Sequence, residues 1–392
     1  MNQSSLREKH AAVFGSAEKL YYFSAPGRTE IGGNHTDHQH GKVLAAAIDL
    51  DTRAAVSPNR DGIIRIMSEG FDYFEIGLDR PEPVEAEKGT AAALVRGAAA
   101  GFRQRGHRVS GFDAYVESSV LPGSGLSSSA AFEVLIGTVI NELDACGLHP
   151  VEIARIGQYA ENVFFGKPCG LMDQTASAMG NLITIDFADT TAPVVTSLNV
   201  DFSAFGHSLC IIDSGAGHAD LTEEYAAIPA ELKALCACYG KEYLRELPEQ
   251  EFFRGIARVR AIVGDRAVLR AMHIYQENRR VDAEIRALES GNFDVFLALV
   301  RESGKSSWTL LQNITPAGRT AHQELAFSLA ICETLLRGRG ACRVHGGGFA
   351  GTIQAFVPND MLSQFSAEIE TYLGAGSCHV LSIRRDGAVR EL

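Results

Sequence analysis

The 392-residue sequence has few positive charges for its size and no long apolar run. Its 36 Lys and Arg are outnumbered by 48 Asp and Glu, which gives a formal net charge of −12. Sequence-independent binding of nucleic acid requires an excess of Lys and Arg. We therefore expect no nucleic-acid partner. A small anion can still bind, because local backbone amides outweigh the overall field.

Apolar segments and clustered cysteines are also missing. No stretch approaches 18 uninterrupted apolar residues, so we expect no membrane helix. Residues 1–5 lack the apolar core of a signal peptide. Of the eight cysteines only Cys236 and Cys238 are close neighbours, and no second pair has the spacing of zinc ligands. We expect reduced thiols and a cytoplasmic location.

Composition and pattern predict a globular α+β protein. Apolar residues make up 46% and charged residues 21% of the chain, which is typical of globular proteins, and the length suits two domains. Helix and strand patterns alternate irregularly, which favours an α+β fold over a doubly wound sheet. Strands are predicted at 43–56, 63–67, 71–76, 112–120, 207–213, 341–344, 352–357 and 380–384. Helices are predicted at 90–104, 127–146, 151–164, 222–239, 271–289, 293–302 and 320–336. We expect a boundary near residue 200, with a cleft between the domains.

The first motif is a glycine- and serine-rich segment at 121–130, between a predicted strand and a predicted helix. Glycines allow a tight turn, and the helix start offers unpaired amides and a positive dipole end, which suit a phosphate group. A glycine turn with serine caps is the alternative. The segment lacks the Gly-Lys-Ser/Thr of a Walker A loop. We call it the phosphate loop.

The second motif, at 25–38, places an Arg, an Asn, two His and an Asp among glycines. These side chains both donate and accept hydrogen bonds, as a sugar with several hydroxyls requires. Two alternatives stay open: a metal site formed by His35, Asp37, His38 and His40, and a solvated polar loop. We call this segment the sugar motif.

The third motif, at 343–351, has four glycines around one Phe between two apolar strands. It predicts close approach of the backbone to a ligand or to another segment. A tight hairpin bend is the alternative. We call it the third glycine motif.

In this order the three motifs resemble those of the GHMP small-molecule kinases, and the similarity extends over nearly the whole chain. Pro26-Gly27-Arg28 with His35-Thr36-Asp37 resembles the galactokinases in particular, as do the segments 161–174 and 277–281. The resemblance implies a two-domain α+β GHMP fold. Residues 1–200 would form a domain like ribosomal protein S5 domain 2, with the sugar motif and the phosphate loop. Residues 201–392 would form a ferredoxin-like C-terminal GHMP kinase domain.

The resemblance also implies roles for individual residues. Asp173 and Arg28 would be catalytic, and Ser129 and Glu161 would hold Mg²⁺. The phosphate loop would bind ATP through Gly123, Ser124, Gly125, Leu126, Ser127, Ser128, Ser129 and Ala130. Residues 346–348 would support the nucleotide loop and the sugar site. The sugar contacts would be Arg28, Asn34, His35, Asp37, Gly170, Asp173 and Tyr225.

Part of this follows from chemistry alone. An Asp beside an Arg is ionised at neutral pH, because the cation lowers the pKa of the carboxyl. A helix-capping role for Asp173 is the alternative, compatible with catalysis.

The sugar motif departs from the family at three positions. Galactokinases usually have Glu at the position of Asn34, where it accepts a hydrogen bond from the C6 hydroxyl. They have Asn at the position of Glu30 and Tyr at that of His38. A neutral Asn could tolerate a C6 carboxylate, which Glu repels.

We therefore expect an ATP-dependent sugar 1-kinase acting on galactose by in-line phosphoryl transfer. The alternatives are a kinase for galacturonate or another galactose-like sugar, and a non-catalytic sensor of sugar and ATP. The intact Arg28, Ser129, Glu161 and Asp173 favour catalysis. We expect a monomer without membrane or nucleic-acid partners.

Overall fold

The computed structural model describes residues 3–120, 125–200, 202–217 and 221–391. Within these ranges the chain forms two β-sheets with helices packed on them. The strands are β1 (Tyr21–Gly32), β2 (Lys42–Pro58), β3 (Ile63–Ser68), β4 (Phe74–Gly77), β5 (Phe112–Ser118), β6 (Leu182–Asp186), β7 (Val194–Leu198), β8 (His207–Asp213), β9 (Ala341–Val344), β10 (Thr352–Pro358), β11 (Cys378–Leu381) and β12 (Val389–Glu391). The helices are α1 (Gln3–Phe14), α2 (Ala91–Gln104), α3 (Ser128–Leu143), α4 (Pro150–Tyr159), α5 (Met172–Met179), α6 (Thr222–Ala237), α7 (Glu249–Glu289), α8 (Phe293–Ser306), α9 (Glu324–Leu336) and α10 (Leu362–Leu373).

The first sheet has the strand order β12-β1-β2-β5-β3-β4, and β6 and β7 extend it from β2. Its pairs are antiparallel apart from β3 and β5, which run parallel. The second sheet has the antiparallel order β11-β8-β10-β9. Strand β12 pairs with β1, so the first sheet includes a strand from beyond residue 200. The division of the chain at residue 200 stays a prediction.

Strand β2 is buried on both faces, because successive side chains point to opposite sides of a sheet. Val43 and Ala45 belong to the core between the first sheet and helices α2 to α5. Leu44 and Ala46 belong to a second core, shared with α7, α8 and the second sheet. This second core joins the two sheets through apolar packing. It supports the segments of β1 and α3 that carry the first two motifs.

Most predicted elements are present with small shifts at their ends. The predicted strand 207–213 matches β8, and the predicted helix 90–104 begins one residue later as α2. The predicted helix 151–164 ends as α4 at Tyr159 and continues as a π-helical turn, Ala160–Phe165. Helix α7 is longer than the predicted 271–289 and is broken at Gly264, whose φ is 83°.

Several elements were not predicted from the sequence. The first half of the sugar motif lies on strand β1 and not on a loop. This strand was not predicted, because its polar side chains obscure the apolar pattern of a buried strand. Helices α1 and α10 and strands β6, β7 and β12 were also absent from the predictions. Helix α5 was foreseen only in the helix-capping alternative for Asp173, which lies in its first turn. Among the described residues no helix combines the length and apolar composition needed to cross a membrane. All eight cysteines are free thiols, as expected.

Candidate active site

Strand β1 approaches the phosphate loop at Gly27 and Arg28. A Cβ atom on Gly27 would lie 2.9 Å from the Leu126 carbonyl oxygen, so a larger residue would displace the loop. The Arg28 amide donates a hydrogen bond of 3.0 Å to the same carbonyl. The register of β1 against β2 shifts between Pro26 and Arg28, and such bulges re-aim a side chain. The backbone of β1 thus brings Arg28 to the start of α3.

Arg28 and Asp173 form a bidentate ion pair. Arg28 Nε donates to Asp173 Oδ1 at 2.7 Å, and Nη2 donates to Oδ2 at 2.6 Å. Arg28 Nη1 donates to the Gly125 carbonyl, and the Ser127 hydroxyl donates to Asp173 Oδ2. Bidentate pairs fix orientation as well as charge. The two predicted catalytic residues therefore meet at the phosphate loop.

The Asp173 carboxyl is held in its ionised form. Burial by itself would raise its pKa, but the charge and hydrogen bonds of Arg28 and the Ser127 hydroxyl outweigh it, and the pKa lies below the ordinary 3.8. The Asp173 side chain is 31% exposed, whereas that of Arg28 is 10% exposed. The carboxylate therefore keeps an accessible edge. Such a group can orient a hydroxyl donor and receive its proton.

The described part of the phosphate loop turns directly into α3. Gly125 and Ser127 have φ values of 72° and 55°, the left-handed conformation that a tight turn requires. The first amides of a helix have no acceptor within the helix, and together with the helix dipole they suit a phosphate. The first turn of α3 contains three of the predicted phosphate ligands, namely Ser128, Ser129 and Ala130.

The buried Leu126 side chain anchors this loop in the core that joins the two sheets. Its backbone carbonyl accepts the bond from the Arg28 amide. The loop is thus fixed from both sides, which a preorganised anion site requires. Two further predicted ligands, Gly123 and Ser124, lie outside the described residues.

Glu161 lies on the π-helical turn Ala160–Phe165, and such turns are frequent at functional sites. Gln174 Nε2 donates at 3.0 Å to Oε2 of Glu161 and at 3.0 Å to Oε2 of Glu133. The Lys167 ammonium lies 3.3 Å from Glu161 Oε1. Burial first, and then the charge of Glu161, raise the pKa of Glu133 well above its ordinary value. Two buried carboxyl groups, one from α3 and one from the π-helical turn, thus meet at the Gln174 amide.

The donor chemistry beside Glu161 suits Mg²⁺. Glu133 Oε1 is buried without a hydrogen-bond partner, so the site beside Glu133 and Glu161 can accommodate a cation. Mg²⁺ usually takes one or two protein ligands and completes its shell with phosphate and water oxygens. Across the described ranges no three His, Cys, Asp or Glu side chains form a closed metal site. The alternative of a histidine metal site in the sugar motif therefore has no support there.

Asp37 and Gly170 lie against each other beside a cavity of about 550 Å³. A Cβ atom on Gly170 would lie 2.8 Å from Asp37 Oδ2, so glycine leaves room for that carboxyl group. Burial raises the pKa of Asp37, and the charge of Asp173 acts in the same direction. Two predicted sugar ligands thus lie together, within electrostatic reach of Asp173.

His35 and His38 are linked through their ring nitrogens. His35 Nε2 lies 3.0 Å from the Gly347 carbonyl, which only accepts, so this nitrogen carries the proton. His35 Nδ1 lies 3.2 Å from His38 Nε2. Burial first, and then the charge of His35, lower the pKa of His38 to about 3. The His38 ring is therefore neutral, and the bond from His35 to Gly347 ties the sugar motif to the third glycine motif.

The Asn34 side chain is bonded to protein groups, and its predicted sugar contact stays a prediction. Its side chain is fully buried, and its amide nitrogen donates to the Gly346 carbonyl at 2.6 Å and to Glu30 Oε1 at 3.2 Å. Its amide oxygen accepts from Asn313 at 3.1 Å and from Ser307 at 3.3 Å. Gly33, with a φ of 93°, turns the chain after β1 and directs Asn34 into the protein. In this structure Asn34 holds the sugar motif in place.

A buried set of charged side chains lies behind the sugar motif. Glu277 Oε1 accepts from the amides of Gly33 and Asn34, each at 3.3 Å, and from the Ser303 hydroxyl at 2.7 Å. Arg343 Nη2 donates to Glu30 Oε1 at 2.6 Å. We call this set the buried ionic network, and it comprises Glu30, Glu277, Arg280, Glu284 and Arg343.

Sequence reasoning noted segment 277–281 but gave Glu277 no role. The sequence signal for its role was the spacing of Glu277 and Arg280, three residues apart on the buried face of a helix.

Tyr225 supports the third glycine motif. Its hydroxyl donates to the Gly348 carbonyl at 2.7 Å. A Cβ atom on Gly347 would lie 2.7 Å from Cε1 of the Tyr225 ring, so glycine is required for this close packing. The predicted sugar contact of Tyr225 stays a prediction. In the structure Tyr225 positions the backbone at Gly347 and Gly348, and the Gly347 carbonyl is the partner of His35.

His345 connects β1 to the phosphate loop, and sequence reasoning missed it. The amide of Glu30 donates to His345 Nε2 at 3.3 Å, so the proton lies on Nδ1, which donates to Thr352 Oγ1 at 2.9 Å. A Cβ atom on Gly125 would lie 3.2 Å from that Nδ1. Burial first, and then the charges of Arg28 and Arg343, lower the pKa of His345 well below its ordinary value. A neutral imidazole thus packs beneath the loop.

Comparisons with known proteins agree with this geometry. A model of the galactokinase galactose-binding signature matches residues 8–58, and a model of the GHMP kinase N-terminal domain matches residues 93–181. A galactokinase of Streptomyces coelicolor is 32% identical over 347 residues, which is 88% of this chain and 86% of that protein. The chain belongs to the galactokinase family. It is therefore a sugar kinase of the GHMP superfamily.

Solved structures of the superfamily share the fold. The crystal structure of Lactococcus lactis galactokinase complexed with galactose superposes with a TM-score of 0.84 at 26% identity and covers 99% of both chains. The mevalonate kinase of Methanococcus jannaschii has a TM-score of 0.67 at 13% identity, covering 93% of this chain and 99% of that one. At that identity the likeness shows the fold alone. The predicted two-domain α+β GHMP fold of this galactokinase family member is confirmed.

Proposed function

We propose that this protein transfers the γ-phosphoryl group of ATP to the C1 hydroxyl of D-galactose, yielding galactose 1-phosphate and ADP. One observation carries the proposal. The Arg28–Asp173 pair has an accessible carboxylate edge and bonds directly to Gly125 and Ser127 at the start of α3. An anion site and a proton acceptor thus lie side by side. This arrangement is what transfer of a phosphoryl group to a hydroxyl requires.

The reaction follows from this geometry. The galactose C1 oxygen forms a bond to the γ-phosphorus while the bond from that phosphorus to the bridging oxygen of ADP breaks. Asp173 orients the hydroxyl and receives its proton, which then passes to solvent. Its lowered pKa makes it a weak base, so positioning and charge neutralisation supply most of the acceleration. Arg28 neutralises the negative charge that develops on the transferred group.

We propose Ser129 and Glu161 as the residues that hold Mg²⁺. When bound, the ion would neutralise phosphate charge and bring the terminal phosphate groups into line. Lys167 and Gln174 fix the Glu161 carboxylate, so it needs little rearrangement. The amides of residues 123–130 would hold the phosphate oxygens of ATP.

A neutral sugar fits this site better than a sugar acid. The cavity beside Asp37 and Gly170 already has the carboxylates of Asp37 and Asp173 near it, with Arg28 engaged by Asp173. A galacturonate carboxylate would meet repulsion there. Asp37, His35, Gly170 and Tyr225 would bind the sugar hydroxyls, and Asn34 would act by holding the motif. We place the sugar motif and the phosphate loop in a domain of residues 1–200 and the third glycine motif in one of residues 201–392.

The test is ATP consumption with galactose, galacturonate, N-acetylgalactosamine and glucose at saturating Mg²⁺. We expect the highest kcat/KM for galactose. A higher value for galacturonate would establish the sugar-acid alternative. Tight binding of galactose and ATP without turnover of any sugar would establish the sensor alternative. Asn34→Glu should weaken galactose phosphorylation by disturbing the motif, not by changing the preferred sugar.

A further inference from the structure

A second cavity, of about 580 Å³, lies beside the C-terminal end of helix α8. Its walls come from the last turns of α8, the following π-helical turn Ser307–Leu311, helix α9 and strand β9. Leu329, Leu336 and Cys342 form buried apolar parts of the wall. The volume matches that of small-molecule sites, which are mostly apolar with a few polar groups. We call it the outer cavity.

The polar groups of the outer cavity suit an aromatic anion. Trp308, the only tryptophan of the chain, lines it and is 42% exposed. Arg301 and Lys305 lie four residues apart on α8 and also line it. Arg301 donates to the Gly340 carbonyl at 2.6 Å, and the described residues give neither cation a carboxylate partner. A partly exposed indole beside two cations without a carboxylate partner suits flat, acidic molecules.

Glu333 also lines the outer cavity and restricts the charge of the ligand. One carboxylate there leaves a net single positive charge among the three ionised side chains. A ligand with one acidic group matches this charge, whereas a phosphate monoester with two negative charges does not.

The elements that line the outer cavity also hold the sugar motif. On the opposite face of α8, Ser303 donates to Glu277 at 2.7 Å, and at the start of the π-helical turn Ser307 donates to Asn34. In β9, Cys342 lines the cavity while the next residue, Arg343, reaches Glu30. A ligand that shifts the π-helical turn or β9 therefore moves the hydrogen-bond partners of Asn34 and Glu30.

We propose that the outer cavity is a ligand site for a small, flat aromatic carboxylate or sulfonate, coupled to the affinity of the sugar site. The ring stacks on Trp308, and Arg301 and Lys305 bind the acidic group. The coupling rests on the proposed function, but binding in the outer cavity does not. By thermodynamic linkage, ligand and sugar change each other's affinity by the same factor.

The binding test uses naphthoate as the probe and the single indole N–H resonance of Trp308 as the readout. We expect a saturable shift with naphthoate and at least about tenfold weaker binding of naphthalenemethanol, an uncharged molecule of similar shape. Arg301→Gln combined with Lys305→Gln should weaken naphthoate binding by a similar factor. Lys233→Gln combined with Arg254→Gln, which removes two exposed cations elsewhere, should leave it unchanged. Thermal unfolding of both double variants checks that they fold.

Three results would overturn the site: no saturable shift, equal affinity for the uncharged molecule, or unchanged binding by the Arg301→Gln/Lys305→Gln variant. The coupling is tested separately by calorimetric titration of galactose with and without saturating naphthoate. We expect at least a twofold change in galactose affinity, matched by the same change in naphthoate affinity with galactose present. An unchanged galactose affinity contradicts the coupling. Failure of galactose to bind at all contradicts the proposed function instead.

Discussion

Arg28 and Glu30 lie two residues apart on β1, and each forms an ion pair with a residue from another element. Arg28 pairs with Asp173, whose side chain is 31% exposed. Glu30 pairs with Arg343, and these two side chains are 7% and 0% exposed. An arginine–carboxylate ion pair thus occurs once at an accessible surface and once inside the protein. The accessible pair can receive a substrate, whereas the buried pair can only hold the backbone in place.

The buried ionic network around Glu30 and Arg343 is nearly balanced in charge. The buried ionic network contains three carboxyl groups and two guanidinium groups, and burial first, and then the charge of Glu277, raise the pKa of Glu284 well above its ordinary value. A protonated Glu284 leaves two charges of each sign. An unpaired buried charge is costly, so loss of one partner affects the whole network. We therefore expect substitutions at the accessible pair to affect turnover and those in the network to affect stability.

The largest expected effect is on catalysis at the accessible pair. Asp173→Asn should lower kcat by about 10³-fold, because the amide can neither accept the proton nor balance the charge of Arg28. Galactose affinity, measured by calorimetry, should change far less. The control is Asp113→Asn, which removes a carboxylate paired with Arg65 away from the site. A variant with Asp173→Asn that retained a tenth of the activity would contradict the assigned role.

The next effect is on stability, in the buried network. Glu277→Gln should cost about 3 kcal/mol of unfolding free energy, because it leaves buried guanidinium groups without their carboxylate. Denaturant unfolding measures this cost. Glu249→Gln removes the exposed partner of Arg279 and should cost less than about 1 kcal/mol. Equal costs for the two variants would contradict the greater contribution of the buried ionic network to stability.

A pH-dependent effect is expected from the histidine pair. The folded pKa of His38 is about 3, below its ordinary 6.5, so between these values the unfolded state binds more protons. Stability from this group is complete above pH 6.5 and falls as the pH falls toward 3. His38→Gln should reduce the slope of unfolding free energy against pH by up to about 1.4 kcal/mol per pH unit in this window. Identical slopes for the two proteins would mean that His38 titrates normally.

The smallest effect compares two similar tyrosine hydrogen bonds. Tyr225 donates to the Gly348 carbonyl at 2.7 Å, and Tyr239 donates to the Phe252 carbonyl at 2.8 Å. Either Tyr→Phe change should cost about 1 kcal/mol of stability. Only Tyr225→Phe should raise the KM for galactose, by a few fold, because only that bond supports the sugar site. A similar KM increase in both variants would point to a general loss of rigidity.

Much of the fold and of the site could be predicted from sequence, because local patterns encode them. The strand, glycine loop and helix around residue 125 follow from residue type and spacing, and the structure brings Arg28, Asp173 and Ser127 together there. The resemblance supplied the pairing of Arg28 with Asp173, which are 145 residues apart. No local pattern contains that information.

The rest depends on contacts between distant segments. The position of Asn34 could not be predicted, because its partners Ser307 and Asn313 are 273 and 279 residues away. A polar side chain in a glycine-rich motif indicates ligand binding and structural support equally well. The turn at Gly33, which directs Asn34 toward these distant partners, favours structural support.

The most direct test of the central claim is a crystal structure with galactose and a non-hydrolysable ATP analogue bound. We predict that the galactose C1 hydroxyl lies within about 3 Å of the Asp173 carboxylate, with Arg28 beside the terminal phosphate. Asn34 should keep its protein partners. A sugar bound with another hydroxyl toward Asp173, or bound away from the Arg28–Asp173 pair, would contradict the account.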